Sequence, residues 1–298
     1  MTISNVLKGH EKDLGGGFIV RRYLPSAVKQ AVGPFIFFDH FGPIDVALDA
    51  NHDVRPHPHI GLATVTYLFE GAMDHRDSLG TFQRIEPGAI NLMTSGKGIV
   101  HSERTPKDLV GQPHRTHGLQ LWVALPVAYE EMDPCFEHTP SSAIPSFQVD
   151  GASVRVLIGT AFGKTSPVKT YSQTLYLDVA LQAGHEIGLA GLPAEAAIYP
   201  ISGELEIDGA PLALHTMALL DTRSAQRVLA KSAAQFVVIG GEPLDGHRFM
   251  FWNFVSSRKE RVVQAGQDWE AQRFPQVPGE TERIPLPKRP ADKEPTPL

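Results

Sequence analysis

Residues 55–71 read RPHPHIGLATVTYLFEG, and residues 93–103 read MTSGKGIVHSE. The first stretch holds His57-Pro58-His59. On an extended chain alternate side chains face the same way, so two imidazoles meet one side while Pro58 faces the other. Pro58 also narrows the backbone and lowers the cost of forming the site. His101-Ser102-Glu103 repeats the arrangement with one imidazole and one carboxylate. Forty-two residues separate His59 from His101. That length accommodates several antiparallel strands, so the two pairs can face each other.

The surrounding residues read as strands. Ala63 to Glu70 is β-branched and aromatic and closes at Gly71. Ala72 to Asp77 returns beside it, and Ser78-Leu79-Gly80 turns the chain. Leu119 to Leu125, LQLWVAL, reads as a buried strand. The second half repeats the vocabulary at 174–179, 196–201, 204–207 and 235–239. TYLFEGAMDHRDSLG and IYPISGELEIDG share a rhythm: an apolar strand ends in Gly, then an alternating strand ends in a turn. This weak repeat predicts two related antiparallel barrels or sandwiches. The 27 Gly and 24 Pro among 298 residues suit many short strands joined by turns.

One helix is signalled. Ser257 and Glu260 form a capping box, and Val262, Ala265 and Trp269 recur at helical spacing. A short helix is expected at 127–132. Residues 275–298 contain seven prolines and predict a poorly ordered tail.

Composition bounds the function. Lys plus Arg is 27 and Asp plus Glu is 33, a net charge of −6, so no generally basic surface for nucleic acid is expected. The single cysteine, Cys135, excludes an intrachain disulfide and a four-cysteine zinc site. It reads as a packed small side chain. The start, MTISNVLKGHEKD, lacks a secretory apolar run, and no run of about 18 apolar residues occurs. A cytoplasmic protein without a membrane span is expected. The glycines at 15–17 and Lys97 in SGKG lack a phosphate-loop frame.

Three imidazoles and a carboxylate suit Fe(II), Mn(II), Co(II), Ni(II) or Zn(II) better than Ca(II) or Mg(II). An octahedral ion held this way keeps two open positions. The bland alternative is that His52 and His75 are solvated loop residues, His101 is structural, and Glu103 pairs with Arg104 or Lys107.

The stretch from Arg55 to Glu103 resembles the pirin family, a branch of the cupins, and WNFVSSRKERVVQAGQDW at 252–269 resembles its C-terminal helix segment. The resemblance covers roughly residues 5–285. It implies an all-β chain of two cupin β-barrels: residues 1–134 with the metal site, residues 135–285 without metal and including a helix near 257–270, then a Pro-rich tail at 286–298. It implies one iron per chain, with His57, His59, His101 and Glu103 as ligands. Some family members open the ring of quercetin with O₂, releasing a ring carbon as carbon monoxide. Others are nuclear transcription co-regulators or bind metabolic enzymes.

Two departures qualify the resemblance. Thr64 stands where the general cupin motif has Glu, and Ile60, Leu62 and Ala63 replace more polar or larger residues. The replacements predict a less polar entrance. Two functions stay open. One is an iron-dependent dioxygenase acting with O₂ on a flavonol or catechol-like aromatic, with Glu103 also as proton acceptor. The other is an iron-dependent redox sensor or protein-binding module without turnover, docking a protein partner through its C-terminal half.

Overall fold

The structure is a computed structural model that describes residues 3–14, 17–48, 50, 52–288 and 296–298. The chain divides into two compact units, each assembled from three segments. One comprises Met1–His10, Arg22–Phe37 and Thr139–Leu244; the other comprises Glu11–Arg21, Phe38–His138 and Asp245–Leu298.

In chain order the strands of the first half are β1 (Ile3–Lys8), β2 (His10–Asp13), β3 (Ile19–Leu24), β4 (Phe35–Val46), β5 (Val54–His59) and β6 (Leu62–Glu70). They continue as β7 (Met73–Asp77), β8 (Phe82–Ile85), β9 (Ile90–Thr94), β10 (Ile99–Arg104), β11 (His114–Ala124) and β12 (Cys135–Thr139). The short helix expected at 127–132 is a 3₁₀ helix confined to Val127–Tyr129. The second half supplies β13 (Ser146–Val149), β14 (Ala152–Ile158), β15 (Thr160–Ala161), β16 (Lys164–Thr165), β17 (Thr174–Leu181), β18 (Glu186–Leu189) and β19 (Glu195–Ser202). Next come β20 (Leu205–Ile207), β21 (Ala210–Leu212), β22 (Thr216–Leu220), β23 (Gln226–Ala230) and β24 (Ala234–Gly241). The chain ends in β25 (Phe249–Phe251), β26 (Phe254–Ser256), α1 (Lys259–Glu270) and β27 (Thr296–Pro297).

The expectation of two closed cupin barrels is corrected. The sheets are antiparallel and open. A seven-stranded sheet runs β12-β9-β6-β11-β4-β3-β2, and a four-stranded sheet runs β5-β10-β7-β8. A second pair of sheets, which recruits β1 from the first half of the chain, repeats the numbers, with β1-β22-β19-β24-β17-β14-β13 and β18-β23-β20-β21. A barrel requires the edge strands to hydrogen-bond each other. Among the described residues each sheet ends in edge strands that do not pair with each other, and side chains between the sheets form the core instead. In the second half Leu177, Val179 and Val238 of one sheet share a core with Ile187, Ile207 and Val228 of the other. Leu189, aligned with His57 by the repeat, belongs to that apolar core.

The repeat is visible in the topology. β6 and β19 lie in seven-stranded sheets, and each passes through a glycine into a strand of the four-stranded sheet, β7 or β20. Gly71 has φ +88° and Gly203 has φ +78°. A Cβ at either would come within 2.6 Å of a carbonyl oxygen, so only glycine fits this crossing.

Helix α1 starts later than the capping box predicts. Its N-cap is Arg258, with no side-chain cap bond. Glu130 explains the difference. Its carboxylate accepts the Ser257 N–H at 2.8 Å and the Ser257 hydroxyl at 2.8 Å, so the serine is already engaged. Fully buried Arg248 lies 2.8 Å from Glu130. The expected apolar stripe does face inward: Val262, Ala265 and Trp269 pack with Ile60, Val100 and Phe254. Ile60 thus packs against the helix. The tail is also more engaged than its prolines suggest. Val277 is buried, Leu286 packs on the same cluster, and β27 pairs β25. Residues 289–295 of the predicted tail lie outside the described residues.

Candidate metal centre

Strand β5 carries RPHPH in extended form, and its last four residues are all buried. Register then decides which groups meet. β10 pairs β5 antiparallel, with Ile99 opposite His59 and His101 opposite His57. Side chains directly opposite in such a pair sit about 5 Å apart at Cβ. Sequence alternation and pairing together bring three imidazoles to one place.

The ligand nitrogens of His57, His59 and His101 lie within 4.8 Å of one another. His59 Nε2 and His101 Nε2 are 3.1 Å apart. His57 and His101 have ring centroids 4.3 Å apart. Burial drives the His57 pKa down to about 4, against a bond to the Arg55 carbonyl that works the other way. Burial likewise holds His59 and His101 well below the ordinary histidine value, with the neighbouring imidazoles adding to the effect. All three are neutral at pH 7, and each offers one nitrogen lone pair.

Hydrogen bonds select which nitrogen that is. His57 Nδ1 donates to the Arg55 carbonyl at 2.9 Å, leaving the lone pair on Nε2. A chain of contacts orients His101. Asp77 Oδ2 lies 3.1 Å from His75 Nε2, and His75 Nδ1 lies 3.4 Å from His101 Nδ1. An ionised Asp77 accepts a hydrogen bond from His75 Nε2–H. His75 Nδ1 then accepts from His101 Nδ1, and the His101 lone pair falls on Nε2, facing His59. Asp77 is held ionised. Burial alone would raise its pKa, but hydrogen bonds from His75 and Thr81 outweigh this and lower it. The backbone N–H groups of Leu79 and Thr81 bind its other oxygen at 2.9 and 3.0 Å.

These residues fit a transition-metal ion. Two imidazole nitrogens face each other at 3.1 Å, and His59 Nδ1 is buried without a partner among the described residues. Neutral nitrogen donors in a desolvated setting suit the borderline divalent ions. The three histidines form a metal-coordination site.

Glu103 stands outside the radius that gathers the histidines. A bulge between His101 and Glu103 shifts the strand, so Glu103 lies opposite Val54 of β5 and opposite His75 of β7. Burial pushes its carboxyl up to about 7, with no hydrogen bond countering it. Its pairing with Arg104 or Lys107, the bland alternative, does not occur. Arg104 instead binds Glu280, Glu282 and Asp53.

Several functional positions escaped the reading of the sequence. His75 is not a loop residue: it is 3% exposed, lies on β7 and stacks on Phe136 at 4.3 Å. The signal was available, because His75-Arg76-Asp77 repeats the alternation of His101-Ser102-Glu103. Trp122 of β11 meets His59 edge-on at 5.2 Å, a contact only cross-sheet geometry could reveal. His52 lies apart and stacks on Phe18.

Comparison with known proteins follows the same lines. The family described as Pirin matches residues 17–123, and the Pirin C-terminal cupin domain matches residues 176–275. A pirin-like protein of Caulobacter vibrioides is 42% identical over 96% of this chain and 100% of its own length. Human pirin is 34% identical over 87% of this chain and 89% of its own. The crystal structure of a quercetin 2,3-dioxygenase from Acinetobacter baumannii superimposes with a TM-score of 0.90, at 33% identity, covering 98% of this chain and 97% of that one. On its sequence over nearly its whole length, and on the fold it shares, the chain belongs to the pirin family.

Proposed function

We propose that the chain is an iron-dependent dioxygenase that opens the ring of a flavonol or a related hydroxylated aromatic. The observation that carries this reading is the convergence of His57, His59 and His101, as neutral donors, in a chain similar to a quercetin 2,3-dioxygenase over 98% of its length. We assign Glu103 as the fourth ligand, moving inward on metal loading.

A bound divalent iron supplies Lewis acidity and one-electron chemistry toward O₂. The chain's own residues prepare the site for it. The imidazoles contribute no charge, so one carboxylate leaves a net positive centre that favours an ionised substrate oxygen. Trp122 shields one side of His59 from water. A Glu103 carboxylate detached from the metal would accept the proton of an entering phenolic hydroxyl. The Asp77–His75 pair keeps His101 in one tautomer throughout.

Metal analysis and oxygen uptake test the reading together. The purified protein, loaded with Fe(II), should hold one metal per chain and consume O₂ with quercetin. His57→Ala combined with His101→Ala should abolish both. One bound metal with no uptake across a flavonol and catechol panel would instead leave a binding module without turnover.

A further inference from the structure

We infer that Gln120, Thr66 and Asn91 form a second half of the substrate site, a hydrogen-bonding row that reads oxygen atoms at the substrate end remote from the metal. The inference rests on the reading of the centre as one for a hydroxylated aromatic.

Register places the row. Thr64 lies opposite Trp122 on β11 and opposite Met93 on β9. Two residues further along β6, Thr66 lies opposite Gln120 and Asn91. Alternate residues of a strand share a face, so the row looks toward the side on which Trp122 meets His59. It is displaced along the sheet by about 7 Å, two residues of strand rise.

The chemistry of the row is unusual for an inner sheet face. Thr66 Oγ1 donates to Gln120 Oε1 at 2.9 Å. Among the described residues no acceptor meets the Gln120 amide N–H groups. From His117 to Ala124 every residue is buried except Gln120, which is half-buried, so its side chain borders accessible space. Asn91 is 2% exposed. Its carbonyl oxygen accepts from His138 Nδ1 at 2.7 Å, and its amide nitrogen is buried with no partner among the described residues. A buried donor left unpaired is costly, so packing alone does not account for an asparagine here. His138 is exposed on β12, and Phe136 on the same face of that strand stacks on His75. The Asn91 end of the row therefore borders the same interior as the metal centre. His138, at the rim, is the side chain that must turn for a ligand to reach Asn91.

Amide donors suit phenolic, phenolate or carbonyl oxygens. The row lies about 7 Å along the sheet beyond Trp122, more than the width of one ring, so a single-ring catechol beside Trp122 does not reach it. A flavonol, a fused bicycle carrying a phenyl ring, is long enough, and its outlying hydroxyls provide the acceptors.

The test measures binding without turnover. Full-length protein is loaded with Zn(II) and titrated under nitrogen with quercetin and with 3-hydroxyflavone, which lacks the outlying hydroxyls. Gln120→Leu and Asn91→Leu should each weaken quercetin binding about tenfold and leave 3-hydroxyflavone binding and zinc content unchanged. Asn91→Asp, close in size, carries the test if Asn91→Leu does not fold. Equal effects on both flavonols, or none on either, overturn the row and leave the proposed function standing. Failure of the wild type to bind either flavonol overturns the substrate reading, and the row with it.

Discussion

His101 Nδ1 lies 3.4 Å from His75 Nδ1, and His75 in turn lies against Asp77. With His75 neutral, this contact gives His101 one tautomer before any metal arrives, its Nδ1–H donating to His75 while His75 Nε2–H donates to Asp77. Asp77→Asn removes the negative acceptor at the end of the chain while keeping its size. Metal affinity should fall roughly 10- to 100-fold, the usual cost of losing an outer carboxylate partner. Competition against a chromophoric chelator reads this directly. Unchanged affinity would mean that His101 is oriented by packing alone.

His57 makes stability depend on pH. Its folded pKa of about 4 lies below the ordinary value of 6.5. The unfolded chain therefore binds the proton more readily. Stability from this residue is complete above pH 6.5 and declines as pH falls toward 4, by roughly 3 kcal/mol in total for the metal-free protein. The difference in unfolding free energy between wild type and His57→Ala, followed from pH 7.5 to 4, should shift across that window. A flat difference would show that the imidazole is not desolvated.

The sequence was most informative where a single strand carries the chemistry. His57 with His59, and His101 as the partner across β5 and β10, followed from alternation along extended segments. Glu103 shows the limit. One bulge changes its register against β5, and nothing in HSE announces a bulge. Contacts such as Trp122 with His59, or Glu130 with Ser257, join residues far apart in the chain, so only folding brings them together. Closure of the sheets was misread for the same reason. Turn signals reveal strands, but the pairing of edge strands has no local mark.

Glu280 tests how the metal-bearing strand is braced. His101 faces the centre, while Ser102 and Arg104 face the other way. Ser102 donates to Glu280 at 2.9 Å, and Arg104 Nε donates to it at 3.0 Å. Arg104 holds the Glu280 carboxyl below its ordinary pKa. This contribution is present above about pH 4.5 and disappears as the carboxylate protonates on acidification. Glu280→Gln should cost about 1–2 kcal/mol at pH 7 and almost nothing near pH 3. Denaturant unfolding at the two pH values measures it. An equal loss at both would assign the effect to shape, not charge.

Glu103 sets stability against metal binding. Its folded pKa of about 7 lies above the ordinary 4.5, because burial disfavours the charge. Such a group supports folding below pH 4.5, and its contribution is lost as pH rises through 7. At pH 8 the metal-free protein carries a desolvated carboxylate without a hydrogen bond. Glu103→Gln removes that charge at nearly constant volume. The metal-free variant should therefore be more stable than wild type at pH 8, by on the order of 2 kcal/mol after allowance for partial exposure, and equal to it at pH 4. Loading with Fe(II) should reverse the order at pH 8, because only the wild type offers a fourth, anionic donor. Thermal unfolding of both proteins, with and without metal, gives four melting temperatures. A variant that is no more stable without metal would show that the carboxyl is well solvated. A variant that gains as much from iron as the wild type would remove Glu103 from the ligand set.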